Sequence, residues 1–228
     1  MKAVSFDFGQ TLAELDYGFL QRRLVERGVS FDPEGARAAS SDAWRVYGEK
    51  KDAGHAAAWQ HMMQAQLQGG GVPAASLQAL GEWLWHEQPR QNLWRRPIPG
   101  MIELVRDLNA AQVPVGIISN SEGHLAELVA ELHWSDCFEV VADSGKVKLD
   151  KPDPRIFQHA CRELSVTTEQ LLHVGDSWEA DVQGALGAGA HAVWFDRAHG
   201  ERALPARVLG AADATELREV LARLGLLS

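Results

Sequence analysis

Ala3-Val4-Ser5-Phe6-Asp7-Phe8-Gly9-Gln10-Thr11-Leu12 is the stretch that decides the fold. Four strand-like residues end in a carboxylate, and a glycine turn follows at once. Further along, 113–118, 171–174 and 192–195 read as short apolar strands, with 138–141 as a weaker fifth. Helical patterns separate most of them. Leu125, Leu128, Val129 and Leu132 recur at helical spacing, and Asp153-Pro154 starts a helix that carries Phe157, Cys161 and Leu164. The last helix runs from Thr215 through Leu217, Val220, Leu221 and Leu224 to a stop at Gly225. Strands alternating with helices predict an α/β fold with a doubly wound parallel sheet, whose ligands sit beyond the carboxyl ends of the strands.

Between the first strand and a helix expected to begin near Ile98 lie about eighty residues without a strand signal, too many for a structureless loop. Gly28, Asp32-Pro33, the Gly69-Gly70-Gly71 break and the 77–85 run divide this stretch into about four helices. The expected organisation is an α/β core from 1–14 and 96–228, interrupted by a helical domain over 15–95.

With 228 residues, 46% of them hydrophobic, the chain can bury a sizeable core. A net charge of −9 and the absence of a Lys/Arg block argue against nucleic acid or an anionic membrane as partner. No early apolar run reaches membrane-helix length, and the N-terminus reads directly as a strand, so a cytoplasmic location is expected. Cys137 and Cys161 make neither a disulfide framework nor a zinc site. Monomer and dimer both remain compatible with the sequence.

Four segments in order carry a resemblance: Asp7 after the first strand, Ser119-Asn120 after the second, Lys151-Pro152-Asp153-Pro154, and Gly175-Asp176-Ser177 followed by Asp181. Together they resemble the haloacid dehalogenase-like hydrolases over essentially the whole chain. The resemblance implies a Rossmann-like core with a helical cap inserted after the first strand. It also implies a magnesium-dependent phosphatase acting on a small phosphorylated substrate. In that reading Asp7 is the nucleophile and forms an aspartyl-phosphate, splitting one hard hydrolysis into two displacements. Two anions repel, so a hard cation with oxygen ligands is required between them. The resemblance assigns Mg2+ to the Asp7 and Asp176 side chains and the Gly9 carbonyl, with Asp181 in support. Ser119 and Asn120 bind the phosphoryl group, and Lys151 neutralises it.

Each residue also has a plainer reading. Asp7 can be a turn residue, Ser119-Asn120 a helix start, and Asp176 the N-cap of the helix that carries Val182, Ala185 and Leu186. Lys146 and Lys148 compete with Lys151, which the Lys-Pro-Asp-Pro context favours.

Gly9 departs from the resembled pattern, which has a second Asp there as general acid and base, a role worth about 10²–10⁴-fold. Gln10 could hydrogen-bond a leaving oxygen or simply form a turn. A phosphatase for good leaving groups, a branch using another residue or substrate assistance, and a catalytically silent phosphate-binding or interaction protein all stay open. Dehalogenating relatives lack the metal-binding Gly-Asp motif that Gly175-Asp176 supplies. A phosphonate-cleaving enzyme would need a cap lysine, for which Lys50 or Lys51 would serve, though a solvated helix face accounts for both. Trp44, Trp59, Trp83, Trp85 and Trp94, with His55, His61 and His86, crowd the insertion and read mainly as its core. His173 reads as a satisfied core histidine, and Arg95-Arg96 as hinge flanks.

Overall fold

A computed structural model describes residues 1–50, 54–196, 199–200 and 203–227. Its strands are β1 (Ala3–Phe6), β2 (Ala13–Leu15), β3 (Trp94–Pro97), β4 (Val115–Ser119), β5 (Val140–Asp143), β6 (Leu171–Gly175), β7 (His191–Phe195) and β8 (Val208–Ala211). Six of them form one parallel sheet in the order β5-β4-β1-β6-β7-β8. Every residue of β1, β4 and β6 is buried, which is why these strands read as apolar runs rather than as alternating ones.

Helix Pro154–Glu163 packs on β4 and β5, and the helical segment 178–187 packs on β6 and β7. Ile156, Phe157, Ala160 and Cys161 from the first meet Val182 and Ala185 from the second over Ile118, Ala142, Leu171 and Ala192. Helices Met101–Ala110 and Ala214–Arg223 pack together, the first on β4 and the second on β8.

Three sequence expectations about the α/β core change. The first is an additional edge strand, β8, half exposed and interrupted by Gly210, so that it shows no continuous apolar run. The second is a two-stranded antiparallel ribbon, in which Glu14 of β2 faces Arg96 of β3 and pairs with it at 3.2 Å. A three-residue strand and the polar Arg95-Arg96 carry no period to recognise. The third concerns Ile98, whose N–H is spent on the Leu12 carbonyl at 3.0 Å; the helix starts only at Met101, after Gly100 takes a left-handed φ of 82°.

The described residues divide into two compact units, Met1–Leu15 with Trp94–Ser228, and Asp16–Leu93. The second is all-helical: Tyr17–Val25, Pro33–Ala38, Ser40–Lys50, His55–Gly69 and Ala74–Glu87. That is five helices where four were expected, because a turn at Ala39 splits the segment begun by Asp32-Pro33. Gly35 and Gly69 let two of these helices touch: a Cβ on Gly35 would lie 2.5 Å from the Gly69 carbonyl. The tryptophans serve this unit's own packing. Trp59 and Trp85 meet at 5.3 Å, Trp44 lies against Tyr47, and Trp83 receives the Arg23 and Arg27 guanidinium groups at 4.6 and 4.5 Å. Trp94 lies in β3, within the first unit.

Among the described residues, no helix is long and apolar enough to cross a membrane. Burial, reinforced by the Glu169 charge, pushes the Cys161 thiol up to about 11, and burial likewise raises Cys137. At about pH 8 the thiolate fraction of Cys161 is on the order of 10⁻³. Neither thiol should therefore react with Ellman's reagent on a timescale of minutes in the folded protein, whereas both should react at once in concentrated urea.

Candidate active site

β1 is the first strand of the chain and lies mid-sheet. From it the chain builds outward to β4 and β5, then crosses to β6, β7 and β8 on the other side. The reversal opens a crevice at the carboxyl ends of β4, β1 and β6. Asp7 follows β1, Asn120 follows β4 and Asp176 follows β6, so the fold delivers three of the sequence candidates to one rim. The Asp7 N–H donates to the Val174 carbonyl of β6 at 2.8 Å, which fixes the turn against the neighbouring strand.

Lys151 joins them. Its Nζ donates to Asp7 Oδ1 at 2.7 Å and to Asp181 Oδ1 at 2.5 Å, with the lysine side chain 2% exposed. Asn120 grips the Lys151 backbone from both sides: its Oδ1 accepts from the Lys151 N–H at 2.7 Å and its Nδ2 donates to the Lys151 carbonyl at 3.0 Å. Lys146 instead pairs with Glu127 on the surface, and Lys148 is exposed at a left-handed φ of 59°. Lys151 is thus the lysine that reaches Asp7.

Asp181 is fully engaged. Oδ1 also faces His173 Nε2 at 3.1 Å, and Oδ2 accepts from the Ser177 N–H at 2.9 Å. A Cβ at position 175 would lie 2.3 Å from the Asp181 carboxyl carbon, so Gly175 makes the seat for this carboxylate. The helix cap next to it is Ser177, whose hydroxyl accepts from the Ala180 N–H at 3.2 Å; the cap role weighed for Asp176 falls to its neighbour. The Asp176 carbonyl accepts from Trp194 Nε1 at 2.9 Å, anchoring the turn to β7.

One ligand oxygen from each of Asp7, Asp176 and Asp181 lies within 4.8 Å of the others. Burial raises the Asp7 carboxyl; Lys151 opposes this and Asp181 adds to it. Asp176 is held well above the usual carboxylate range by burial first, then by the Asp181 and Asp7 charges. For Asp181, burial is outweighed by the Lys151 charge and the His173 contact, and its carboxyl is lowered. Burial also works against the Lys151 ammonium, but the two carboxylates prevail and raise it.

Ser119 is buried at the end of β4, close enough to help hold the Asp7 carboxyl down. Gly9 sits in the turn, outside the left-handed region, where a Cβ would make ordinary contact with the Trp94 ring at 3.4 Å. Gln10 is the strained member at a φ of 59°, with its N–H donating to Ala13 at 2.8 Å, so its backbone serves the turn. Arg95 and Arg96 are ion-paired with Glu131 and Glu14. Lys51 lies outside the described residues.

Sequence reasoning passed over Asp143 and Ser144, which organise the loop after β4. Asp143 is wholly buried and accepts from the N–H groups of Gly123, Leu125 and Gly145 at 3.0, 2.9 and 2.9 Å. The Ser144 hydroxyl accepts from the Ser121 N–H and donates to the Ser121 carbonyl. The loops meet so closely that a Cβ on Gly145 would lie 2.4 Å from the Gly123 nitrogen.

The parallel sheet thus carries a carboxylate cluster at its switch point with a buried lysine between two of the acids. Residues 1–189 match the model of the haloacid dehalogenase-like hydrolases, and the chain belongs to that family. Among curated relatives, the phosphoserine phosphatase of Thermus thermophilus is 47% identical over 60 residues, 26% of this chain and 24% of that one. The pyrimidine 5'-nucleotidase YjjG of Escherichia coli is 24% identical over 211 residues, 87% of this chain and 88% of that one. The chain spans about half the length, or less, of the first curated relatives it matches. A solved hydrolase of the family from Deinococcus radiodurans, with bound phosphate and sodium, superposes with a TM-score of 0.64 at 26% identity, covering 100% of this chain and 98% of that one.

Asp143→Ala removes one buried acceptor from three N–H donors. It should destabilise the protein by about 3 kcal/mol or more, read as a lowered urea midpoint at unchanged slope. Asp143→Asn, which keeps one acceptor oxygen, should cost clearly less.

Proposed function

We propose that this protein is a magnesium-dependent phosphatase of a small phosphorylated metabolite, working through an aspartyl-phosphate on Asp7. The observation that carries the reading is a charge imbalance: one ammonium, Lys151, faces three carboxylates within the same cluster. An all-oxygen donor set with excess negative charge suits a hard divalent cation. Asp7 and Asp176 would hold it with the Gly9 carbonyl, while Asp181, already committed to Lys151, His173 and Ser177, supports from behind. Bound there, Mg2+ supplies charge neutralisation for the anionic substrate and the transition state.

The chain's own residues do the rest. Asp7 Oδ2 is the oxygen left free by Lys151 and is the attacking atom; it forms a bond to phosphorus as the ester oxygen departs. Lys151 and Ser119 steady the phosphoryl oxygens, and Asn120 acts by holding Lys151 in place rather than by touching substrate. Relatives named as phosphatases, and the solved neighbour with bound phosphate, support this substrate class. The helical segment 15–95 is proposed as the cap that selects the metabolite, on the strength of its compactness and its place in the chain.

Gly9 leaves the departing oxygen without a carboxylic acid, so turnover should favour aryl and acyl phosphates over alkyl ones. The backbone at Gly9 does not demand glycine, and Gly9→Asp should raise alkyl phosphate turnover by about 10²-fold while flattening the leaving-group dependence. A leaving-group series for both proteins measures this. Asp7→Asn, nearly isosteric, should abolish turnover in a protein that stays folded, with a lowered melting temperature because Lys151 loses a charged partner. Phosphate binding without turnover of any ester would move the assignment to a silent phosphate-binding protein.

A further inference from the structure

His173 stands in the middle of β6, fully buried, with Ser5 of β1 as its register partner across the sheet. Neither ring nitrogen is idle. Nδ1 lies 2.9 Å from Ser5 Oγ and Nε2 lies 3.1 Å from Asp181 Oδ1, while Phe157 meets the ring edge-on at 5.1 Å. Ser5 and Phe157 therefore pin the ring that reaches Asp181. Because a carboxylate only accepts, Nε2 is the donor in that contact. The oxygen it donates to is the same Oδ1 that Lys151 uses, so two donors from different elements converge on one atom.

The geometry points to His173 as a positioning residue for the phosphoryl-transfer site, with Ser5 holding its ring: the line Ser5, His173, Asp181, Lys151, Asp7 sets where the lysine ammonium sits relative to the attacking carboxylate. The reason lies in what holds Asp181. Its Oδ2 is fixed by the Ser177 N–H, which belongs to a turn, whereas Oδ1 is fixed from within the sheet by His173. Strands keep side chains in place more rigidly than turns do, and partners behind an active-site ligand typically change activity by about 10–100-fold when removed. Without His173, Asp181 turns about its side-chain bonds and the ammonium follows it away from Asp7.

The kinetic arm of the test rests on the phosphatase reading above. With 4-nitrophenyl phosphate and Mg2+, His173→Leu should lower kcat by about 10–100-fold with KM within about twofold, because the site is misaligned rather than emptied. His173→Gln carries an amide N–H able to reach Asp181 and should recover most of kcat. A packing role alone would make the two variants lose activity in step with their losses of thermal stability, and equal loss in both, or an unchanged kcat in His173→Leu, would overturn the inference. If the unmodified protein turns over no ester, the phosphatase reading fails by itself, and the crystal structure of His173→Leu then decides. Lys151 displaced from Asp7 supports the inference; Lys151 still bonded to both Asp7 and Asp181 contradicts it.

Discussion

The Lys151 ammonium, enclosed between Asp7 and Asp181, is the interaction on which the site depends. Enclosing it takes a contribution from each of the three central strands: Asp7 follows β1, Asn120 follows β4 and clasps the lysine backbone, and His173 within β6 backs Asp181. Removing ions of this kind from water costs several kcal/mol each, and that cost is offset only when every donor and acceptor is met. Here Lys151 donates to two carboxylates, and Asp181 and His173 are each bonded through both of their polar side-chain atoms. Deleting one partner leaves the rest as uncompensated buried charges, a change that typically costs about 3–5 kcal/mol. Stability and chemistry are therefore coupled at this point of the fold.

The same enclosure leaves a surplus of negative charge. Asp176 is pushed toward its neutral form by burial and by its two acidic neighbours, and the Lys151 charge opposes this without prevailing. That surplus is what supports the proposal of a cation and, through it, an anionic substrate. The turn after Asp7 carries no carboxylic acid. Trp94 lies beside Gly9 where an acidic side chain would begin, and the turn strain falls on Gln10, so the backbone at position 9 does not demand glycine.

Asp7, Asp176, Asp181 and Lys151 are legible because each follows or adjoins an apolar run, and strand ends are where a doubly wound sheet gathers its ligands. Choosing Lys151 over Lys146 and Lys148 needs only the Lys-Pro-Asp-Pro context. Less is legible where a residue's job depends on a partner far away in sequence. Asp143 reads as the polar end of a weak strand, yet it satisfies three N–H groups, two of them on a loop about twenty residues earlier. Ser177 takes the cap weighed for Asp176, and the choice depends on which neighbour the sheet claims first. His173 looks like a core residue and is one; that it also touches Asp181 follows from the β1–β6 register, which no local pattern specifies. The β2–β3 ribbon and β8 are short, polar or half exposed, so the periodicity that reveals the central strands is absent.

An enzyme that forms an acyl phosphate on Asp7 and lacks a carboxylate at position 9 to activate water should break that intermediate down slowly, so it accumulates during turnover. The most direct measurement is to quench the protein while it turns over an aryl phosphate, reduce it with borohydride, and map the product by mass spectrometry. A burst of released phenol and homoserine at position 7 are expected, both absent in Asp7→Asn. Steady turnover of the ester with no burst and an unmodified aspartate at position 7 would contradict the acyl phosphate on Asp7.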